Sequence, residues 1–101
     1  MSYVEISKLN TNYSYQRNLN ERRVNEIKKE FDPKLLGKIT ISRHSNGKLF
    51  VIDGNHRVAA CKAVGAKYID AEIIDGLSIE QEAELFCKLN NGQIDSIGGK
   101  Q

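Results

Sequence analysis

From Lys38 to Arg43 apolar and polar positions alternate with period two, and the β-branched pair Ile39 and Ile41 marks the segment as a strand. Ser45-Asn46-Gly47-Lys48 follows, and Asn-Gly between apolar runs predicts a hairpin. The hairpin leads into Leu49–Ile52, an unbroken apolar run read as a buried strand. Asp53-Gly54 is a turn signal, because Gly accepts backbone angles that other residues resist. Beyond it Val58, Ala60, Cys61 and Val64 share one face of a short helix that Gly65 closes. Lys67–Ile74 reads as another strand. The strand–helix–strand passage predicts a parallel pair with the helix across one face.

The flanks follow the same logic. Tyr3–Ile6 alternates weakly and is expected to be an edge strand. Lys8–Asn18 lacks periodicity and is read as loop, with Tyr13-Ser14-Tyr15-Gln16-Arg17 as an aromatic and basic cluster on it. That cluster either binds a ligand or packs the loop onto the core. Asn20 is an N-cap, and Val24, Ile27 and Phe31 form the apolar stripe of a helix ending before Pro33. A short turn at Leu35-Leu36, closed by Gly37, is expected next. Near the C-terminus Ser78 and Gln81 form a capping box. The helix they open carries Ala83, Phe86 and Leu89 on one side, and Glu80, Glu82 and Glu84 make it acidic; it is expected to end at Asn90-Asn91-Gly92. The result is an α+β domain over residues 1–92, a small mixed sheet of about four strands packed with three main helices. Residues 93–101 are expected to be a flexible tail or the start of a linker.

Composition adds bounds. The 101 residues suffice for one core, and 40% apolar with 28% charged residues are ordinary for a folded domain. No apolar run approaches the roughly 20 residues that span a bilayer, and no secretory leader is legible, so a cytoplasmic protein without membrane partners is expected. Net charge is +2, but residues 1–50 hold ten Lys/Arg against five Asp/Glu, while residues 51–101 hold five against eight. A basic face toward nucleic acid or nucleotide fits that asymmetry, and so does a solvated helix face. Cys61 and Cys87 lack metal-ligand spacing and are read as buried apolar side chains.

The chemistry concentrates in Asp53–Arg57. A turn, a helix N-terminus with unpaired N–H groups, an imidazole and a guanidinium converge there, and together they make an anion site with phosphate the expected anion. Arg57 would supply permanent charge, and His56 a hydrogen bond or a proton. Asp53 would bind a metal, accept a proton from a hydroxyl, or hold His56 or Arg57 in place. Catalytic roles, if any, fall to Asp53 and His56.

Asp53-Gly-Asn-His-Arg-Val-Ala-Ala60 resembles the Gly-x-(His/Arg)-Arg-x-x-Ala motif of the ParB/sulfiredoxin-like superfamily, and in particular the ParB N-terminal domain and its DGQHR-type relatives. Tyr15-Gln16-Arg17 is similar to the Gln-Pro-Arg segment of ParB domains without its proline, and the likeness covers about residues 3–91. It implies the ParB/sulfiredoxin-like fold and a nucleotide site, CTP or ATP with Mg2+. Gly54, Asn55, His56 and Arg57 would cradle the phosphates, with Gln16, Arg17 and Asn90 as further contacts. The Glu-Asn-x-x-Arg motif of ParB is replaced here by Leu89-Asn90-Asn91-Gly92-Gln93, so the acid and final Arg that assist metal-dependent hydrolysis are absent. Asn55 stands where sulfiredoxin has its catalytic Cys, which removes sulfinic-acid chemistry. The resemblance thus implies a domain of plasmid or chromosome partition or DNA-associated regulation, reaching DNA through a missing domain or partner protein, with a homodimer as a further expectation. The enzymatic alternatives are a nucleoside triphosphatase, a metal-dependent ParB-like nuclease using Asp53, or a phosphotransferase using Asp53 or Glu82 as its acid.

Overall fold

The alternation at residues 38–43 takes the middle of the sheet. A computed structural model describes residues 2–16, 19–29, 31–32 and 36–98, with the backbone alone for residues 90–98. Strands β1 (Tyr3–Glu5), β2 (Leu9–Asn10), β3 (Ile39–Arg43), β4 (Leu49–Asp53) and β5 (Tyr68–Asp75) form one mixed sheet in the order β1-β5-β3-β4-β2. Helices α1 (Glu21–Lys29), α2 (Asn55–Ala63) and α3 (Ile79–Gly98) complete the α+β fold, and a 3-10 turn at Ile6–Lys8 joins β1 to β2. No helix among the described residues is long and apolar enough to cross a membrane.

β3 and β4 form the expected antiparallel hairpin, closed where the Gly47 N–H donates to the His44 carbonyl at 2.8 Å. The expected parallel pairing across α2 is corrected. β5 runs parallel to β3 rather than β4. One edge of β4 is taken by the hairpin and the other by β2, which pairs with it in parallel, so β3 offers the free edge. β2 lies in the segment read as loop, because two residues carry no detectable period.

Pleating sorts the side chains between two faces. Ile39, Ile41, Val51, Ile69 and Ala71 join Val4, Ile6, Leu9, Val58 and Cys61 in the core on one face, against which Phe31 and Leu36 also pack. α1 packs on α2 at this side. Ser42 points to the opposite face, with no exposed surface, and meets α3 there. Val64 is 45% exposed rather than on the buried face of α2. Cys61 is buried as expected, but Cys87 is exposed.

The local signals at helix ends hold. Asn20 Oδ1 accepts from the N–H groups of Arg22 and Arg23 at 3.0 and 3.3 Å. Ser78 and Gln81 exchange reciprocal bonds of 2.9 and 3.1 Å. α3, however, runs through Asn90-Asn91-Gly92 to Gly98 instead of stopping there. One Gly costs only about 1 kcal/mol against Ala in a helix, which neighbouring turns can override. The turn expected at Leu35-Leu36 lies partly outside the described residues.

Candidate anion site at the start of α2

The register of the hairpin shifts just before the site. Thr40 opposes Asp53 while Ile41 opposes Val51, so Ile52 is an extra residue that bends β4 and re-aims Asp53. Gly54 then takes φ +110°, in the left-handed region, and is the N-cap of α2. A Cβ at Gly54 would lie 2.4 Å from Ile39 Cγ2 and 2.9 Å from Ile39 Cβ. Glycine is therefore required by the packing of the turn onto β3 as well as by its backbone angle. The first helical bond is Val58 N–H to Gly54 carbonyl, 2.8 Å, so the N–H groups of Asn55, His56 and Arg57 precede the helix's own bonding.

Of the roles open to Asp53, the structure shows it paired with Arg57. Its Oδ2 accepts from Arg57 Nη2 at 3.0 Å, and both side chains are about one-fifth exposed. Arg57 Nη1 also donates to the carbonyls of Leu36 and Lys38 at 3.2 and 3.0 Å. The guanidinium expected to clamp phosphate thus also ties the approach to β3 onto α2. Arg57 is therefore not a free arm.

His56 is likewise engaged. Its Nε2 accepts from the Asn20 backbone N–H at 3.0 Å, which leaves Nδ1 as the donor of the neutral ring. Burial pushes its pKa below the usual histidine value, and the charge of Arg23 adds to this. A depressed folded pKa means that stability is present above the unfolded value and is lost as pH falls through the folded one. His56→Gln, which keeps an acceptor without a titrating ring, is expected to lose less stability than wild type between pH 7 and 5. Urea melts at the two pH values check this, and equal losses would remove His56 as the cause.

Asn55 faces the loop after β2. Its Oδ1 accepts from Thr11 Oγ1 at 2.9 Å, and its Nδ2 donates to Gln16 Oε1. Gln16, buried despite its polarity, donates from Nε2 to the Val51 carbonyl of β4. Because β2 runs parallel to β4, residues 11–16 continue past the carboxyl end of β4 and wall one side of the α2 N-terminus. Gln16 and Asn55, both named from the sequence, are brought together here, and they are joined by Thr11, which no local period marks. Arg17 lies outside the described residues, as does the side chain of Asn90. Among the described residues no three His, Cys, Asp or Glu side chains converge to hold a metal. Cys61 is buried, and burial pushes its thiol pKa up, partly offset by Arg57.

The comparisons with known proteins agree with this architecture. The C-terminally truncated chromosome-partitioning protein ParB from Caulobacter crescentus, solved with CTP-gamma-S, is similar at a TM-score of 0.70 and 19% identity, over 88% of this chain and 51% of that one. The same protein complexed to the centromeric parS site gives 0.73 and 17%, over 94% and 49%. SbnI from Staphylococcus aureus gives 0.60 and 23%, over 72% and 30%. The chain spans about half the length of the ParB structures it matches, and at these identities the likeness establishes the ParB/sulfiredoxin-like fold. No protein of curated function matches the sequence. By its sequence, matched over residues 11–98, the chain belongs to DUF6551, a family of unknown function.

Proposed function

We propose that this chain is a ParB-like, phosphate- or nucleotide-binding domain that serves partition or DNA-associated regulation, with the ligand's phosphates at the N-terminus of α2. One observation carries the reading. The left-handed Gly54 turn presents the three N–H groups of Asn55, His56 and Arg57 at the start of α2, where the charge of Arg23 also acts on His56, in a fold that a ParB protein has in complex with CTP-gamma-S. Asn55 and Gln16 wall the site, and Arg17 and Asn90 are further contacts on the resemblance alone. DNA is reached through a domain or partner outside this chain, as suits its span of half a ParB structure.

Binding is preferred to nuclease or phosphotransferase chemistry because Asp53, the acid either would recruit, is paired with Arg57. Among the described residues no three His, Cys, Asp or Glu side chains converge, and no residue is assigned to hold Mg2+. Calorimetric titration with CTP, ATP and GTP, each with and without Mg2+, tests the proposal; absence of binding by wild type overturns it.

Arg57→Ala cannot alone locate the site, because it also breaks three internal bonds. Arg23 is exposed, and its N–H, not its guanidinium, caps α1. Arg23→Ala is therefore expected to weaken nucleotide binding roughly five- to tenfold with an unchanged melting temperature. Wild-type affinity in that variant would move the phosphates away from His56.

A further inference from the structure

Glu82 is a carboxylate with no exposed surface, on a helix whose sequence reads as acidic. It accepts from Tyr15 Oη at 3.0 Å and Ser42 Oγ at 2.6 Å, and His44 Nε2 contacts the same oxygen as Ser42. The Tyr15 ring lies 5.5 Å from that of Phe86, one turn further along α3. Burial, reinforced by the bond to Glu82, pushes the Tyr15 phenol far above its usual pKa, so it stays a donor. The next residue, Gln16, holds Asn55 and β4, and Thr11 holds Asn55 from the other end of the loop. Side-chain bonds on either side of the Tyr15–Gln16 peptide bond therefore link α3 to the first residue of α2.

We propose that Tyr15 is a positioning residue that couples α3 to the anion site: its bond to Glu82 sets the 11–16 loop so that Thr11 and Gln16 orient the Asn55 amide, and a ligand at the α2 N-terminus is felt at α3 through the same loop. The ligand half rests on the reading above; the positioning half does not. The physics is that neither end of the loop can let go cheaply. Both ends of the Asn55 amide are engaged, so an anion recruiting it competes with Gln16. Gln16 is buried and cannot turn to water unless the loop moves. Moving the loop draws Tyr15 away from a carboxylate that water does not reach, and an unmet bond there is unfavourable. The loop consequently shifts as a unit. By reciprocity, what tightens α3 against the loop also tightens the site.

The test starts without ligand. Side-chain amide signals of Asn55 and Gln16, followed by NMR, are expected to shift and exchange faster in Tyr15→Phe, which loses one hydroxyl. Tyr13→Phe, on the same loop but 65% exposed, is the control and is expected to leave them in place. Glu82→Gln, acting from the α3 side, is expected to move the same signals. Unmoved Asn55 signals in folded Tyr15→Phe overturn the positioning role. With inorganic triphosphate as probe, wild type is expected to gain amide-exchange protection over residues 79–89. Tyr15→Phe is expected to bind roughly fivefold more weakly and to gain none. If wild type binds and Tyr15→Phe binds equally, the coupling is wrong and the site reading stands. If wild type does not bind, the site reading and the ligand half fall together, and the ligand-free spectra alone decide the positioning role.

Discussion

Gly54→Ala is expected to cost about 2–5 kcal/mol, a large share of the roughly 5–15 kcal/mol that holds a domain of this size together. Two effects add. A left-handed backbone costs a residue with a Cβ about 1–2 kcal/mol. Overpacking typically costs a further 1–3 kcal/mol, and here the new Cβ would stand 2.4 Å from Ile39 Cγ2, a side chain with no exposed surface and no room to withdraw. For a domain of about 100 residues this corresponds to a fall in melting temperature of about 8–40 °C. Gly47→Ala is the internal standard. Gly47 has φ +86° but open space around its Cα, so only the backbone effect of about 1–2 kcal/mol remains. In an Ile39→Ala background, where Cγ2 is gone, the added cost of Gly54→Ala is expected to shrink. Thermal melts by circular dichroism decide it. Equal losses for Gly54→Ala and Gly47→Ala would mean that β3 yields to the new methyl group.

The contrast between those two glycines marks how far the sequence could be read. Asp53-Gly54 and Asn46-Gly47 look alike as turn signals, because a turn signal reports backbone freedom and nothing else. That Gly54 is also pressed against Ile39 depends on how α2 docks on β3, 15 residues away in sequence. The strands at 39–43, 49–53 and 68–75 were legible because period and β-branching are local, and the Asn20 and Ser78–Gln81 caps for the same reason. The choice of β3 as the partner of β5 was not, since it depends on which strand edges remain free. At the site the residue types were legible and their commitments were not. Arg57 and His56 were read as ligand-facing groups, yet each is held by backbone from a different segment: the carbonyls of Leu36 and Lys38, and the N–H of Asn20. The placement of Glu82 did leave a signal. Ile79, Glu82, Phe86 and Leu89 recur at intervals of three and four, so Glu82 sits on the apolar stripe of α3 rather than off it.

That placement makes Glu82→Leu the second large effect, expected at about 2–6 kcal/mol of lost stability. Leucine is apolar and of comparable size, so neither a cavity nor exposed surface is the cause. The cost lies with the partners. The Ser42 hydroxyl has no exposed surface and loses its acceptor, and the half-buried Tyr15 hydroxyl loses its own. Each orphaned donor costs about 1–3 kcal/mol. His44 is the exception: its side chain is 22% exposed and can turn to water. Glu82→Gln keeps one acceptor oxygen but turns an NH2 toward a donor, so about 1–3 kcal/mol is expected and the order is wild type, Gln, Leu. A third variant separates the carboxylate from its partners. When donors and acceptor are removed together, apolar replacements of buried polar groups are often neutral or stabilising. Tyr15→Phe/Ser42→Ala/Glu82→Leu is therefore expected to be more stable than Glu82→Leu alone, although it carries two more substitutions. Urea unfolding of wild type and the three variants gives the answer. If the triple variant were the least stable, the carboxylate itself, rather than the satisfaction of its partners, would be what holds α3 on the sheet.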